Sequence, residues 1–186
     1  MKTAWTIATV LITCVLALAA HIDRETATSA PGTSKLPSCE TADYRQFDFF
    51  VGDWDAYDFG VPDSVIARNV VTAMLGGCAI REVYVQRDGM SGESFSTFDA
   101  VRHVWHQSWV TNHGAVLLLD GGLHDGRMVL TATEHDRKGD SSLLRGTWIP
   151  QRGSVRETAR RSKDGGATWE PVFDIVFQPH RGRKGT

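Results

Sequence analysis

The sequence predicts an all-β chain that closes into a single antiparallel up-and-down β-barrel of roughly ten strands, with a short N-terminal helix plugging one end. Three observations carry that expectation. Turn signals recur at spacings of about a dozen residues, the cadence of short antiparallel strands joined by hairpins. The segments between them are rich in β-branched and aromatic residues and show no helical period. Ahead of the first strand, Phe47-Asp48-Phe49-Phe50-Val51-Gly52-Asp53-Trp54 sets an apolar plug beside a Gly-x-Trp step.

The chain opens with Met1-Lys2, an apolar run over 7–18 interrupted by Thr9, Thr13 and Cys14, and the small-residue pattern Ala17-Leu18-Ala19. That is the order of a cleaved export signal over 1–19, and the run is shorter than the ~20 residues a membrane span requires. Thr13 directly before Cys14 fits a lipid-attachment site poorly. A Ser-, Thr-, Ala- and Pro-rich stretch without periodicity follows, read as a flexible leader over 20–37. The barrel domain is expected over 38–178, long enough to bury a core without metals or many crosslinks. A basic tail over 179–186 carries His180, Arg181, Arg183 and Lys184.

Twenty Lys and Arg nearly balance 22 Asp and Glu, and no basic stripe interleaved with aromatics marks the folded region, so nucleic acid is not an expected partner. Once the signal is removed, no membrane span is expected. Cys39 and Cys78 remain as an even pair, which in an oxidising compartment predicts a disulfide. Periplasmic or secreted localisation follows from the same features.

The one short helix is expected over 42–51, with Thr41 as its cap and Tyr44, Phe47 and Val51 on one stripe. The strands are expected at 54–59, 65–74, 78–86, 93–98, 104–110, 115–123, 127–134, 143–149, 155–161 and 169–177. Between them stand Gly60, Gly76-Gly77, Asp88-Gly89, Asn112-His113-Gly114, Asp125-Gly126, Lys138-Gly139-Asp140, Arg152-Gly153 and Asp164-Gly165-Gly166. Closure of so many strands removes the exposed edges of an open sheet.

Alternation assigns the faces. Trp105, Gln107 and Trp109 share one face of their strand, and Glu82 shares a face with Ile80 and Tyr84. Arg145 lies with Leu143, Thr147 and Ile149, and Trp169 with Phe173, Ile175 and Phe177.

The plug motif, Gly76-Gly-Cys-Ala-Ile-Arg-Glu82, Trp105-His-Gln-Ser-Trp-Val110, Arg145-Gly-Thr-Trp-Ile-Pro150 and Ser162-Lys-Asp-Gly-Gly-Ala-Thr-Trp169 occur in one order between Cys39 and Phe177. In this the chain resembles a family of exported bacterial proteins of unknown function with a lipocalin-like, calycin-type barrel. The resemblance implies the fold and carries no assigned chemistry. Gly52-x-Trp54 also resembles the start of lipocalins and of nitrobindin-type haem barrels. The haem barrels continue with further glycines, whereas here Asp55, Ala56, Tyr57 and Asp58 follow, with His180 as a candidate axial ligand.

Residues expected to line a ligand pocket are Trp54, Glu82, Trp105, Gln107, Trp109, Arg145 and Trp148. An aromatic wall with an amide suits a flat or apolar molecule. A carboxylate and a guanidinium directed inward would need to pair, so Glu82 and Arg145 are expected together. His103 and His106 are three apart and would point to opposite faces of a strand, so no metal site is expected. Ser94 and Ser96 have no His and Asp order near them that suggests a hydrolase triad.

The leading expectation is an extracytoplasmic, non-catalytic binding protein for a small apolar or aromatic molecule, without a cofactor, as a monomer or homodimer. The alternatives are a barrel enzyme of cyclase, isomerase or hydrolase type using Glu82 and Arg145, a haem-binding barrel, and an envelope protein-interaction module.

Overall fold

The computed structural model describes residues 39–182. Ten strands follow one another: β1 (Gly52–Asp58), β2 (Val65–Met74), β3 (Ala79–Gln86), β4 (Ser91–Asp99), β5 (Val104–Thr111), β6 (Val116–His124), β7 (Arg127–His135), β8 (Ser141–Gln151), β9 (Ser154–Ser162) and β10 (Glu170–Pro179). Each pairs antiparallel with its neighbours in sequence, and β10 returns to β1, so the barrel is closed. The expected fold class is the one observed. The signal peptide over 1–19, with Cys14, the leader over 20–37 and the tail residues Arg183 and Lys184 lie outside the described residues.

The hairpins form where glycine relieves the turn. Asp125 and Gly126 both take positive φ, 49° and 74°, between β6 and β7, the geometry that matches strand twist in a two-residue loop. The β4–β5 turn has no glycine and was not among the expected turn signals. His103 adopts φ 55° there, and the Asp99 carboxylate accepts the backbone N–H groups of Val101 and Arg102 at 2.9 and 3.1 Å.

The plug differs from the expected helix in its period. It consists of two 3-10 turns, Ala42–Arg45 and Asp48–Phe50, and the Thr41 side chain makes no capping bond. The Thr41 carbonyl accepts the Tyr44 N–H at 3.1 Å instead. Three residues per turn align Tyr44, Phe47 and Phe50, so Phe50 takes the inward place expected for Val51, which is exposed. Phe47 and Phe50 are 0% and 1% exposed. They meet Trp105, Trp148 and Phe177 at ring-centroid distances of 5.4–5.7 Å.

Cys39 and Cys78 form the expected disulfide, joining the segment before the plug to the β2–β3 turn. Arg45 donates to the carbonyls of Cys39, at 3.2 Å, and of Gly77, which fastens the same corner a second time.

Two bulges shape the opposite end. Ala56 pairs with Ala67 and Tyr57 with Val65, which leaves Ile66 without a partner on β1. On β10, Pro171 pairs with Arg160 and Phe173 with Ala159, so Val172 is the extra residue. That insertion reverses the face of everything before it. Phe173, Ile175 and Phe177 keep the expected shared inner face, whereas Trp169 falls outside, its indole donating to the Gly166 carbonyl at 2.9 Å.

Candidate functional site

The plug fills the end of the barrel where β1 begins and β10 finishes. A cavity of about 320 Å³ occupies the rest of the lumen. Asp58, Ile66, Gln86, Met90, Leu117 and Phe173 sit at strand ends or turns opposite the plug and form its mouth. Glu82, Gln107, Trp148, Glu157 and Ala159 lie deeper.

Four of the expected pocket residues line this cavity: Glu82, Gln107, Trp109 and Trp148. Trp54 and Trp105 point inward but lie against the plug. The Trp54 indole donates to the Phe50 carbonyl at 2.9 Å, and that of Trp105 to Gln46 Oε1 at 3.1 Å. Their surface is consumed in closing the barrel, so neither faces the cavity.

Arg145 is a correction. The inner face of β8 is Leu144, Gly146 and Trp148, which puts Arg145 outside, its guanidinium 3.9 Å from the centre of the Trp169 ring. The expected Glu82–Arg145 pair therefore does not form. His180 is also outside, with its backbone N–H on the Asp53 carbonyl and its ring on Asp55 at 2.8 Å. His106 faces outward to Asp120 and Ser108, and His103 lies in the β4–β5 turn.

Two glycines let tryptophans lie flat over the sheet. A Cβ at Gly92 would overlap the Trp109 ring, and one at Gly146 would come within 2.8 Å of Trp148. The rings thus reach the cavity because the strand beside or beneath them has no side chain.

Glu82 is only 6% exposed and is held by a polar belt running across four adjacent strands. Asn69 on β2 donates to Oε1 at 3.0 Å, and Ser94 on β4 donates to Oε2 at 2.9 Å. Gln107 on β5 donates in turn to Ser94 and Ser96 at 3.2 and 3.1 Å. The two serines thus orient a carboxyl and an amide.

Glu157 is the residue that sequence reasoning passed over. It stands between Val155 and Ala159 on the inner face of β9, half-buried, with Trp148 and Ile175 as its cross-strand neighbours. A lone carboxyl between apolar residues two positions away is the same signal that singled out Glu82, and it would have found this one.

Burial raises Glu82 above the usual carboxylate range, and its bonds to Ser94 and Asn69 oppose the rise. Burial raises Glu157 well above that range, and the charge of Glu82 adds to the effect. The Trp148 indole N–H favours the Glu157 carboxylate, but it completes no hydrogen bond of normal geometry. Tyr84, pushed up by burial and then by Glu157 and Glu82, faces both carboxyls, with Asp58 beyond. The inner faces of β8 and β10 present nothing ionisable here.

The sign of the pH dependence follows. Both folded-state values lie above the ordinary 4.5, so the native state keeps protons that the unfolded chain releases. Stability is fullest below about pH 4.5 and falls as the pH rises through the raised values. Glu157→Gln is expected to stabilise the protein at pH 8 by about 1–3 kcal/mol, on the scale of an unpaired buried charge, with little effect at pH 4. Urea unfolding at the two pH values measures this. An equal effect at both would contradict the assignment.

The fold and cavity define a class: a closed ten-strand antiparallel barrel, consistent with a calycin-like fold, with one stoppered end and a lumen that can hold a ligand. No protein-family model matches the chain, and no curated protein is significantly similar to it. Among the described residues no helix is long and apolar enough to cross a membrane.

Proposed function

We propose that the protein is an extracytoplasmic, non-catalytic binding protein whose lumen holds a small aromatic or apolar molecule. The observation that carries this reading is the cavity itself. About 320 Å³, walled by Trp109, Trp148, Leu117, Leu119, Leu144 and Ile175 with a few convergent polar groups, falls within the size and composition of small-molecule sites. The disulfide fits a periplasmic or secreted location. The enzymatic alternative loses its electrostatic stabiliser, because Arg145 is on the outer wall. The haem alternative has no imidazole among the residues lining the cavity.

Titration with the neutral fluorophore N-phenyl-1-naphthylamine tests the proposal, with saturable fluorescence enhancement expected. Ala159→Phe, which adds a ring to the cavity wall, is expected to weaken binding at least tenfold. An unchanged affinity in that variant would place the fluorophore outside the barrel.

A further inference from the structure

The lumen is acidic in a way the rest of the molecule is not. Asp58, Glu82 and Glu157 line the cavity, and none of its lining residues is Lys, Arg or His. Composition does not explain this, since the chain carries 20 basic residues. On the outer wall carboxylates are matched: Asp53 with Arg68, Glu93 with Arg81, Asp99 and Asp120 with Arg102, and Asp174 with Arg156. At the open end, beyond the residues that line the cavity, Glu134 and Arg161 share the inner face and pair with each other. No cation pairs with Glu82 or Glu157 among the described residues.

The placement of these two carboxyls is built. Glu82 is fixed by Asn69 and Ser94, both of which present N–H or O–H donors to it, an arrangement suited to the ionised form. Strands β3 and β9 are four steps apart around the ring one way and six the other, so their inner faces look at each other across the lumen. A second observation concerns the Glu157 side of the lumen. The Trp148 indole N–H is in the cavity wall, on a side chain 3% exposed, and has no hydrogen-bond partner. It favours the ionised Glu157 carboxyl beside it, so it can hold that carboxylate in line next to a bound ammonium, which itself offers no acceptor.

Resting on the ligand-binding reading above, we infer that the lumen takes a hydrophobic amine in its protonated form, with the ammonium group between Glu82 and Glu157 and the apolar body along Trp109, Trp148 and Leu119. Charge decides against other small molecules. A buried carboxyl and a half-buried one that face each other without a cation are costly to ionise together, and an entering ammonium supplies the missing partner. The faces of Trp109, Trp148 and Tyr84 also attract a cation that has shed its water. A neutral guest leaves the carboxyls uncompensated, and an anionic one adds repulsion.

Three ligands of nearly equal shape separate these cases by calorimetry at pH 7.5: tryptamine, 3-ethylindole and indole-3-propionate. Tryptamine is expected to bind at least tenfold more tightly than 3-ethylindole, with the propionate weakest. In Glu157→Gln and in Glu82→Gln the preference for tryptamine over 3-ethylindole is expected to shrink to within about threefold. Glu93→Gln, an outer-wall control, should keep the tenfold preference. Equal binding of tryptamine and 3-ethylindole overturns the charge assignment and leaves the ligand-binding reading standing. Failure of all three in protein that binds N-phenyl-1-naphthylamine also overturns it. Failure of the fluorophore as well removes both readings together.

Discussion

Phe47→Ala is expected to destabilise the barrel by about 3–5 kcal/mol, the range for truncating a fully buried aromatic ring. The ring has no exposed surface and packs against both the rest of the plug and the barrel wall. It stacks on Phe50 at 5.5 Å with planes 16° apart and meets Trp105 and Trp148 edge-on at 5.7 and 5.4 Å. Losing it opens a void between the plug and the lumen floor that neighbours on a closed sheet cannot collapse to fill. Phe49→Ala, at a half-buried ring, should cost markedly less, and Val51→Ala almost nothing, because Val51 faces solvent. Denaturant unfolding of the three variants tests the order. A Val51 effect equal to that of Phe47 would restore the α-helical stripe expected from sequence.

Reduction of the Cys39–Cys78 disulfide carries the second large expectation. The bridge spans a sequence separation of 39 residues, and closing such a loop in the unfolded chain is worth about 4 kcal/mol on the chain-entropy account. The loop contains the plug, β1 and β2, so the bond limits how far the stopper can wander in the unfolded state. The Arg45 bond to the Gly77 carbonyl ties the same corner without using the disulfide, so it is expected to hold part of it after reduction. Unfolding of oxidised and reduced protein measures the difference, and a loss below about 1 kcal/mol would show that packing alone seats the plug. Phe47→Ala and reduction act on one element, so their effects should not add. The combined loss is expected to fall short of the sum of the two.

Much of the fold was legible because it rests on local chemistry. Asp-Gly and Gly-Gly pairs need no distant partner to turn the chain, and β2 was placed at its observed bounds, Val65–Met74, by its flanking turns and branched residues. The β4–β5 turn escaped because its positive φ is carried by His103 and supported by the Asp99 side chain. The plug period escaped because 3.6 and 3.0 residues per turn differ by one position over a segment this short. Glu82, Gln107, Trp109 and Trp148 were readable as inward-facing candidates from alternation. Trp54 and Trp105 were readable as inward but not as far as their depth, since alternation gives a face and not a height along the barrel.

The sequence by itself determined an all-β barrel, its strands and glycine-bearing turns, the Cys39–Cys78 pair and the inner side of β3 and β5. Only the tertiary structure decided that Arg145 stands outside with Trp169, and that Glu157 joins Glu82 across the lumen. The physical reason is the same in each case. A side chain's charge partner is set by which strands close against each other and by where an inserted residue such as Val172 reverses the pleat, and both are properties of the closed ring that no single strand contains.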